Sequence, residues 1–298
     1  MNWRGLHISR AARLSLKQRQ VLLEQEEGKH TFPLEDMAYI ILDTQQATLT
    51  AALLSACAEA GCLVLCCDAR HIPNAALLPY QSFHRHTETL LAQMALSEPW
   101  KKQLWKSIVQ RKIRNQAACL ERAGRPAEEV KKVGAFEARV RSGDADNAEG
   151  VAAHAYWKSW VEGFRREQEA EDRLNVMLNY GYALVRAAIA RELAARGFSP
   201  SLGVHHRSMA NAFNLADDIL EPWRPFVDEL ALNIWLSTPE KHEFSTEDRR
   251  ALARIFHVPL MLDGESMQLI DAVRKQAEQF RMCVMKQREG MPMPSFAE

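Results

Sequence analysis

In GVHHRSMANAFNLADDILEPWRPFVD, residues 203–228, two adjacent histidines stand about a dozen residues ahead of a cluster of carboxylates. Asp218 and Glu221 are three apart, so on a helix their side chains share one face while Phe213, Ala216 and Leu220 share another. Like charges held together cost energy unless a cation offsets them, which makes a divalent metal one occupant of that face. An acidic helix end satisfied by Arg224 or by solvent is the other, and these residues alone leave both open. The same holds for His205 and His206, since a core or surface histidine is commoner than a ligand. Pro222 offers no amide to the carbonyl of Asp218 and Pro225 none to that of Glu221, so the helix is predicted to kink or break there.

A further carboxylate lies upstream in DADNAEGVAAHAYWKSW. Asp146 and Glu149 are spaced as a capping pair, with Asp146 at the N-cap and Glu149 three residues on. Glu149 also precedes Gly150 and a run of small residues, and a carboxylate at the start of a closely packed helix is well held for binding a metal. Between these motifs and the N-terminal third lies a basic stretch. Residues 101–141 carry twelve Lys or Arg against four Glu, a net of +8 within a chain whose formal charge is zero. That balance fits a polyanion-binding surface, with Lys101, Lys102, Arg111, Lys112, Lys131 and Lys132 as candidate DNA contacts. A solvated helical face with no partner is the plain alternative.

The elements that must position these residues fall into two groups. From Trp3 to about Asp68 the runs GLHISR, ARLSLKQRQVLLEQ, HTFPLEDMAYIILD and CLVLCCD alternate or stay apolar for four to eight residues between Gly, Pro and charged breaks, as strands do. TLTAALLSACAEAG reads as one helix ending at Gly61. Beyond about Thr87 nearly every segment has helical period. In residues 170–200, Leu174, Met177, Leu178, Val185, Ala188, Ile189 and Leu193 recur at steps of three and four, with Asn175, Asn179, Tyr182 and Arg186 as a polar stripe. The fold class expected is α+β: a small β-rich domain with one packed helix over residues 1–85, then a larger all-helical domain over 86–298.

Composition limits the function classes. At 298 residues, 47% hydrophobic and 26% charged, the chain is globular rather than disordered. No apolar run approaches the roughly 20 residues of a membrane span, and MNWRGLHISRAAR lacks the apolar core of a signal peptide, so a cytoplasmic location without a membrane partner is expected. The sequence has neither a Walker-type glycine loop nor GxGxxG. The apolar runs AYIILD and CLVLCCD lie in a domain of about 80 residues and have no obvious cover on both faces, which predicts a two-fold contact with a second chain through residues such as Leu63 and Leu65.

Taken together, the motifs resemble one family, the CRISPR-associated integrases known as the universal adaptation nuclease "Cas-one". The resemblance rests on NAEGVAAHAYW around Glu149, DRLNVMLNYGYALV at 172–185, SLGVHH at 201–206 and NLADDILEPWRPFVD at 214–228, supported by WKSIVQRKIRNQA at 105–117 and MPMPSF at 291–296. It covers most of the chain and is greatest for the type II branch. It implies a homodimer and a metal site in which Glu149, His206 and Glu221 are ligands and catalytic residues, with Asp218 and His205 in support. His206 is preferred because the family places its histidine three residues after the glycine, here Gly203. Oxygen ligands with one imidazole suit Mg²⁺ or Mn²⁺. The reaction implied is insertion of short DNA fragments into a CRISPR repeat by 3′-hydroxyl attack on its phosphodiesters. The implied partners are double-stranded DNA, both captured fragment and repeat, and a small dimeric second adaptation protein. A metal-dependent phosphohydrolase acting on nucleotides and a non-catalytic helical DNA-binding scaffold are the readings that compete with this one.

Overall fold

Among the described residues, the alternating N-terminal pattern folds as eight strands and one α-helix. The structure, a computed structural model, describes residues 3–79 and 85–297. The chain divides into two compact units, one ending at residue 84 and the other beginning at residue 85. The first holds β1 (Arg4–Ile8), β2 (Ala12–Lys17), β3 (Gln20–Gln25), β4 (Gly28–Pro33), β5 (Met37–Leu42), β6 (Ala47–Leu49), α1 (Ala51–Ala60), β7 (Leu63–Cys67) and β8 (Pro73–Ala76). One sheet runs β1-β5-β7-β8, parallel through its first three strands and antiparallel at the last. The other runs β4-β3-β2-β6 and is antiparallel except for the β2–β6 pair.

Leu14 and Val21 from the second sheet, Ile40 and Val64 from the first, and Leu53 and Cys57 from α1 share one core. Thr50 caps α1 by accepting from the Leu53 amide, and Gly61 stops it in the left-handed conformation at φ 72°, where a side chain would be strained. In β7, Leu63, Val64 and Leu65 are 1%, 2% and 0% exposed. This corrects the expectation that the strand lacks cover: β7 is an interior strand between β5 and β8, and Leu63 and Leu65 on one face and Val64 on the other are already buried within one chain, with Cys66 half-buried.

The second unit is mostly helical: α2 (His86–Met94), α3 (Glu98–Arg122), α4 (Ala127–Gly134), α5 (Ala148–Trp160), α6 (Arg173–Ala195), α7 (Asn214–Leu220), α8 (Arg224–Ser237), α9 (Thr246–Ala253) and α10 (Leu269–Val284). It also contains a three-stranded antiparallel sheet of β9 (Pro259–Leu262), β10 (Glu265–Gln268) and β11 (Ser295–Phe296), in the order β10-β9-β11. The α+β class thus stands, but the helical unit is not helical throughout. Its strands are two to four residues long, too short for a period-2 pattern to declare itself. Among the described residues no helix is long and apolar enough to cross a membrane.

Two helices carry most of the site's support. The 25-residue α3 buries Trp105, Ile108, Lys112, Gln116 and Cys119 at steps of three and four, so a lysine occupies a position on its buried stripe. In α6 the apolar residues are buried as the periodicity requires, and its polar stripe holds a loop. Asn175 Oδ1 accepts from Arg166 Nη1 at 2.8 Å, Asn179 accepts from the same guanidinium, and Asn175 Nδ2 donates to the Arg165 carbonyl at 2.9 Å.

Candidate active site

The proline-bearing stretch breaks as its sequence requires. Helix α7 ends at Leu220, Glu221–Trp223 form one 3₁₀ turn, and α8 begins at Arg224. Two buried side chains brace that turn. Asn115 Nδ2 donates to the Pro222 carbonyl at 2.7 Å and to the Pro294 carbonyl at 3.0 Å, while Trp223 Nε1 donates to Gln276 Oε1 at 2.9 Å. Glu221, on this turn, is therefore fixed by α3, α10 and the C-terminal segment.

Glu149 reaches the site from the first turn of α5, where its negative charge is favoured by the helix dipole. The cap differs from the Asp146–Glu149 pairing expected. Asn147 is the N-cap, accepting from the Gly150 amide at 3.2 Å, and Asp144 accepts from the amides of Ala148 and Glu149 at 2.9 and 3.0 Å. Asp146 instead pairs with Arg141 at 3.1 Å on the surface. Because Asp144 and Asn147 satisfy the helix end, the Glu149 carboxylate is not needed for capping and is available to the site.

What joins Glu149 to Glu221 is Lys112. Its ammonium donates to Glu149 Oε1 at 2.6 Å and also to Glu221 Oε2, while Arg224 Nε donates to Glu221 Oε1 at 2.9 Å. Burial alone would push Lys112 toward the neutral amine, but Glu221 and Glu149 outweigh it and hold its pKa above the usual lysine value. Burial likewise opposes ionisation of Glu221, and Arg224 and Lys112 reverse this, holding its pKa at about 2.

The two histidines separate clearly. Asp218, fully buried, accepts from the amides of Val204, His205 and His206 at 2.6, 3.0 and 3.0 Å and pairs with His206 Nδ1 at 2.6 Å. One carboxylate thus folds the GVHH loop and orients one imidazole, leaving Nε2 as the nitrogen to face a ligand. Gly203 is required by this wrapping: a Cβ there would lie 2.3 Å from the His206 carbonyl oxygen and 2.8 Å from Asp218 Oδ2. The hydrogen bond to Asp218 raises the pKa of His206, and Glu221 is near enough to add to that shift. His205 instead stacks on the buried Trp105 ring, with centroids 4.0 Å apart and planes 1° from parallel, and burial lowers its pKa.

These placements bear on the metal. Among the described residues no three His, Cys, Asp or Glu side chains form a ready cage. The donor chemistry fits nevertheless: two carboxylates from separate elements already converge on a single cationic atom, and an imidazole with a carboxylate on its far nitrogen stands in the same electrostatic neighbourhood.

The basic candidates scatter. Lys102, Lys131 and Lys132 are exposed, Lys101 is half-buried and lies 3.4 Å from Glu98, and Arg111 is half-buried. Lys112 alone joins the carboxylates, and it belongs to the site rather than to an open phosphate-binding face. Its role, with those of Asn115 and Asp144, was not assigned from sequence. The one available signal for Lys112 was a charged residue in register with an apolar stripe.

Known proteins agree with this architecture. The family model of the CRISPR associated protein Cas1 matches residues 6–253. The CRISPR-associated endonuclease Cas1 of Neisseria meningitidis serogroup C (strain 8013) is 39% identical over 282 residues, covering 94% of this chain and 92% of that protein. A casposase bound to integration product shares the fold with a TM-score of 0.75 at 16% identity, over 98% of this chain and 92% of its own. A chain of a Cas6-RT-Cas1–Cas2 complex does so with a TM-score of 0.72 at 19% identity, over 96% of this chain and 35% of that longer one. The match thus spans the β-rich unit and most of the helical one. The chain belongs to the Cas1 family.

Proposed function

We propose that this protein is a metal-dependent DNA endonuclease and integrase that inserts short fragments into a CRISPR array. One observation carries the reading: Glu149 and Glu221, 72 residues apart in sequence, are brought onto one cation position beside an imidazole whose orientation is set by Asp218. Family membership, a relative named as an endonuclease and a fold neighbour bound to an integration product support it.

Glu149, Glu221 and His206 would hold Mg²⁺ or Mn²⁺, and the bound ion would supply charge stabilisation at the scissile phosphate. The chain's own residues prepare the rest. Asp218 fixes the His206 tautomer, the Asn115 braces fix the Glu221 turn, and Asp144 and Asn147 fix the start of α5. In the transfer itself the 3′ hydroxyl oxygen of the fragment forms a bond to the repeat phosphorus. That hydroxyl gives up its proton, the bond between phosphorus and the repeat's own 3′ oxygen breaks, and the departing oxygen takes up a proton. With water as the nucleophile the same displacement is cleavage. The exposed Lys102, Lys131 and Lys132 would meet the phosphates of double-stranded DNA. A homodimer joined to a small dimeric second adaptation protein would present two such sites to the two fragment ends, and a Cas6-RT-Cas1–Cas2 complex among the fold neighbours supports a partner of that kind.

The test is integration of a short duplex into a repeat-bearing plasmid with the partner protein and Mn²⁺ or Mg²⁺. Wild type should integrate, while Glu149→Ala and Glu221→Gln should fall by about two orders of magnitude or more, the scale of losing a group that acts at the reacting centre. Normal integration by both variants would remove the site assignment.

A further inference from the structure

The oxygens that would face a shared metal ion already face an ammonium group. Lys112 Nζ donates to Glu149 Oε1 at 2.6 Å and to Glu221 Oε2, and Arg224 Nε takes the other oxygen of Glu221 at 2.9 Å. Two cations thus balance two carboxylates, and the Lys112 and Glu221 side chains are only 10% and 5% exposed. A divalent ion added to these four groups would leave two positive charges in excess in a poorly solvated space, and the Asp218 carboxylate behind His206 offsets them only in part. Asp218 cannot offset them further by turning inward, because three amides and the His206 ring already engage both of its oxygens.

One resident cation must therefore give way, and the structure distinguishes the two. Arg224 sits one helical turn from Glu221, in the same chain segment, and its guanidinium also lies 4.6 Å from the centroid of the Tyr182 ring. Lys112 reaches in from α3 on a flexible four-carbon stem, ends in a compact point charge, and lies between the two carboxylates. Of the two, Lys112 is the one whose withdrawal opens both carboxylates at once.

We infer that Lys112 is a built-in counter-ion that competes with the catalytic metal for the Glu149 and Glu221 oxygens, and that metal entry displaces it. The inference rests on the metal reading proposed above and adds to it a competitor within the chain. It carries a second consequence. The displaced ammonium needs an anion, and a DNA phosphate supplies one, so metal and DNA each favour the other's binding, reciprocally and on the scale of about 5–150-fold usual for coupled sites. The protein therefore binds its metal weakly until the substrate arrives.

The test uses full-length protein and Mn²⁺ alone, with binding read from loss of the electron paramagnetic resonance signal of the free ion. Lys112→Met, which keeps length and removes charge, should bind Mn²⁺ at least about tenfold more tightly than wild type without DNA, at the scale expected of one such coupling. A folded Lys112→Met protein that binds no tighter, or more weakly, overturns the inference and leaves Lys112 as a residue that positions the carboxylates. A measurement on wild type covers the case in which the variant does not fold. Acylation of Lys112, followed by mass spectrometry, should be slow in chelator and several-fold faster in saturating Mn²⁺, and an unchanged rate overturns the inference. Failure of the underlying reading looks different: wild type, Lys112→Met and Glu149→Ala would then all bind Mn²⁺ equally or not at all.

Discussion

Glu221 and Asp228 are seven residues apart on either side of the start of α8, both nearly inaccessible to water, and their protonation is driven in opposite directions. Glu221 meets Lys112 and Arg224 and is held at a pKa of about 2. Asp228 meets two phenols, accepting from Tyr156 at 2.9 Å and from Tyr182, and burial pushes it up to about 7 despite both hydrogen bonds. Desolvation is the first cause in each, so the difference lies in the partners: neutral donors relieve a buried carboxylate, whereas cations commit it to its charge. One helical segment thus keeps an anion at the candidate active site and a proton-binding acid in the core behind it.

The largest expected effect breaks the comparison at Glu221. Replacing it by alanine leaves Lys112 with the partly exposed Glu149 alone and takes from Arg224 the carboxylate that it touches, and breaking such a buried pair costs about 3–5 kcal/mol. Denaturant unfolding at neutral pH should show this for Glu221→Ala, while Glu221→Gln, which keeps an acceptor and the side-chain volume, should lose less. Two variants of equal stability, both near wild type, would mean that the cations are relieved by water and that the pairing does not hold the turn.

The second effect concerns Asp228 and has a definite sign. A carboxyl raised from 3.8 to about 7 binds a proton in the folded state that the unfolded state has released, so stability is fully present below about pH 4 and falls as pH rises through 7. At 1.36 kcal/mol for each pKa unit the loss attributable to this group is at most about 4 kcal/mol. Unfolding free energies of wild type and Asp228→Asn at several pH values between 4 and 8.5 should diverge in slope, with the variant flatter. Parallel curves would show that the phenols, or water, keep Asp228 ionised throughout.

The contrast between these acids also marks how far the sequence could be read. The stop of α1 at Gly61, the periodic face of α6 and the break between Leu220 and Arg224 follow from local chemistry, and each was visible in residue type and spacing. The GVHH and DILEP motifs and the NAEG carboxylate were visible through resemblance. Partners from distant segments were not. Lys112 and Glu221 are 109 residues apart and Tyr156 and Asp228 are 72 apart, so no local pattern could say which buried acid receives a cation and which a phenol. The burial of Leu63 and Leu65 escaped for the same reason: the strand's place between β5 and β8 is a property of the sheet order, not of CLVLCC. At α5 the error was local. Asp146 and Glu149 have capping spacing, but Asn147 takes up the left-handed conformation at φ 52° and caps in its place.

The smallest stability effect falls on Glu149, and it sharpens the comparison by adding a third carboxylate of intermediate standing. Its side chain is 23% exposed, against 5% for Glu221, and it shares the Lys112 ammonium with Glu221. Removing its charge leaves Lys112 still bound to Glu221 and leaves Arg224 untouched, so Glu149→Gln should unfold within about 1 kcal/mol of wild type, the range of a partly exposed ion pair. If the metal reading is right, the same variant should lose both Mn²⁺ binding and DNA integration. Stability and function would then separate at Glu149 while remaining entangled at Glu221. Unfolding curves and Mn²⁺ titrations on the same preparations check this directly. A Glu149→Gln protein destabilised as much as Glu221→Ala would mean that Lys112 depends on both carboxylates equally, and Glu149 would then be part of the fold's internal charge balance as much as Glu221 is.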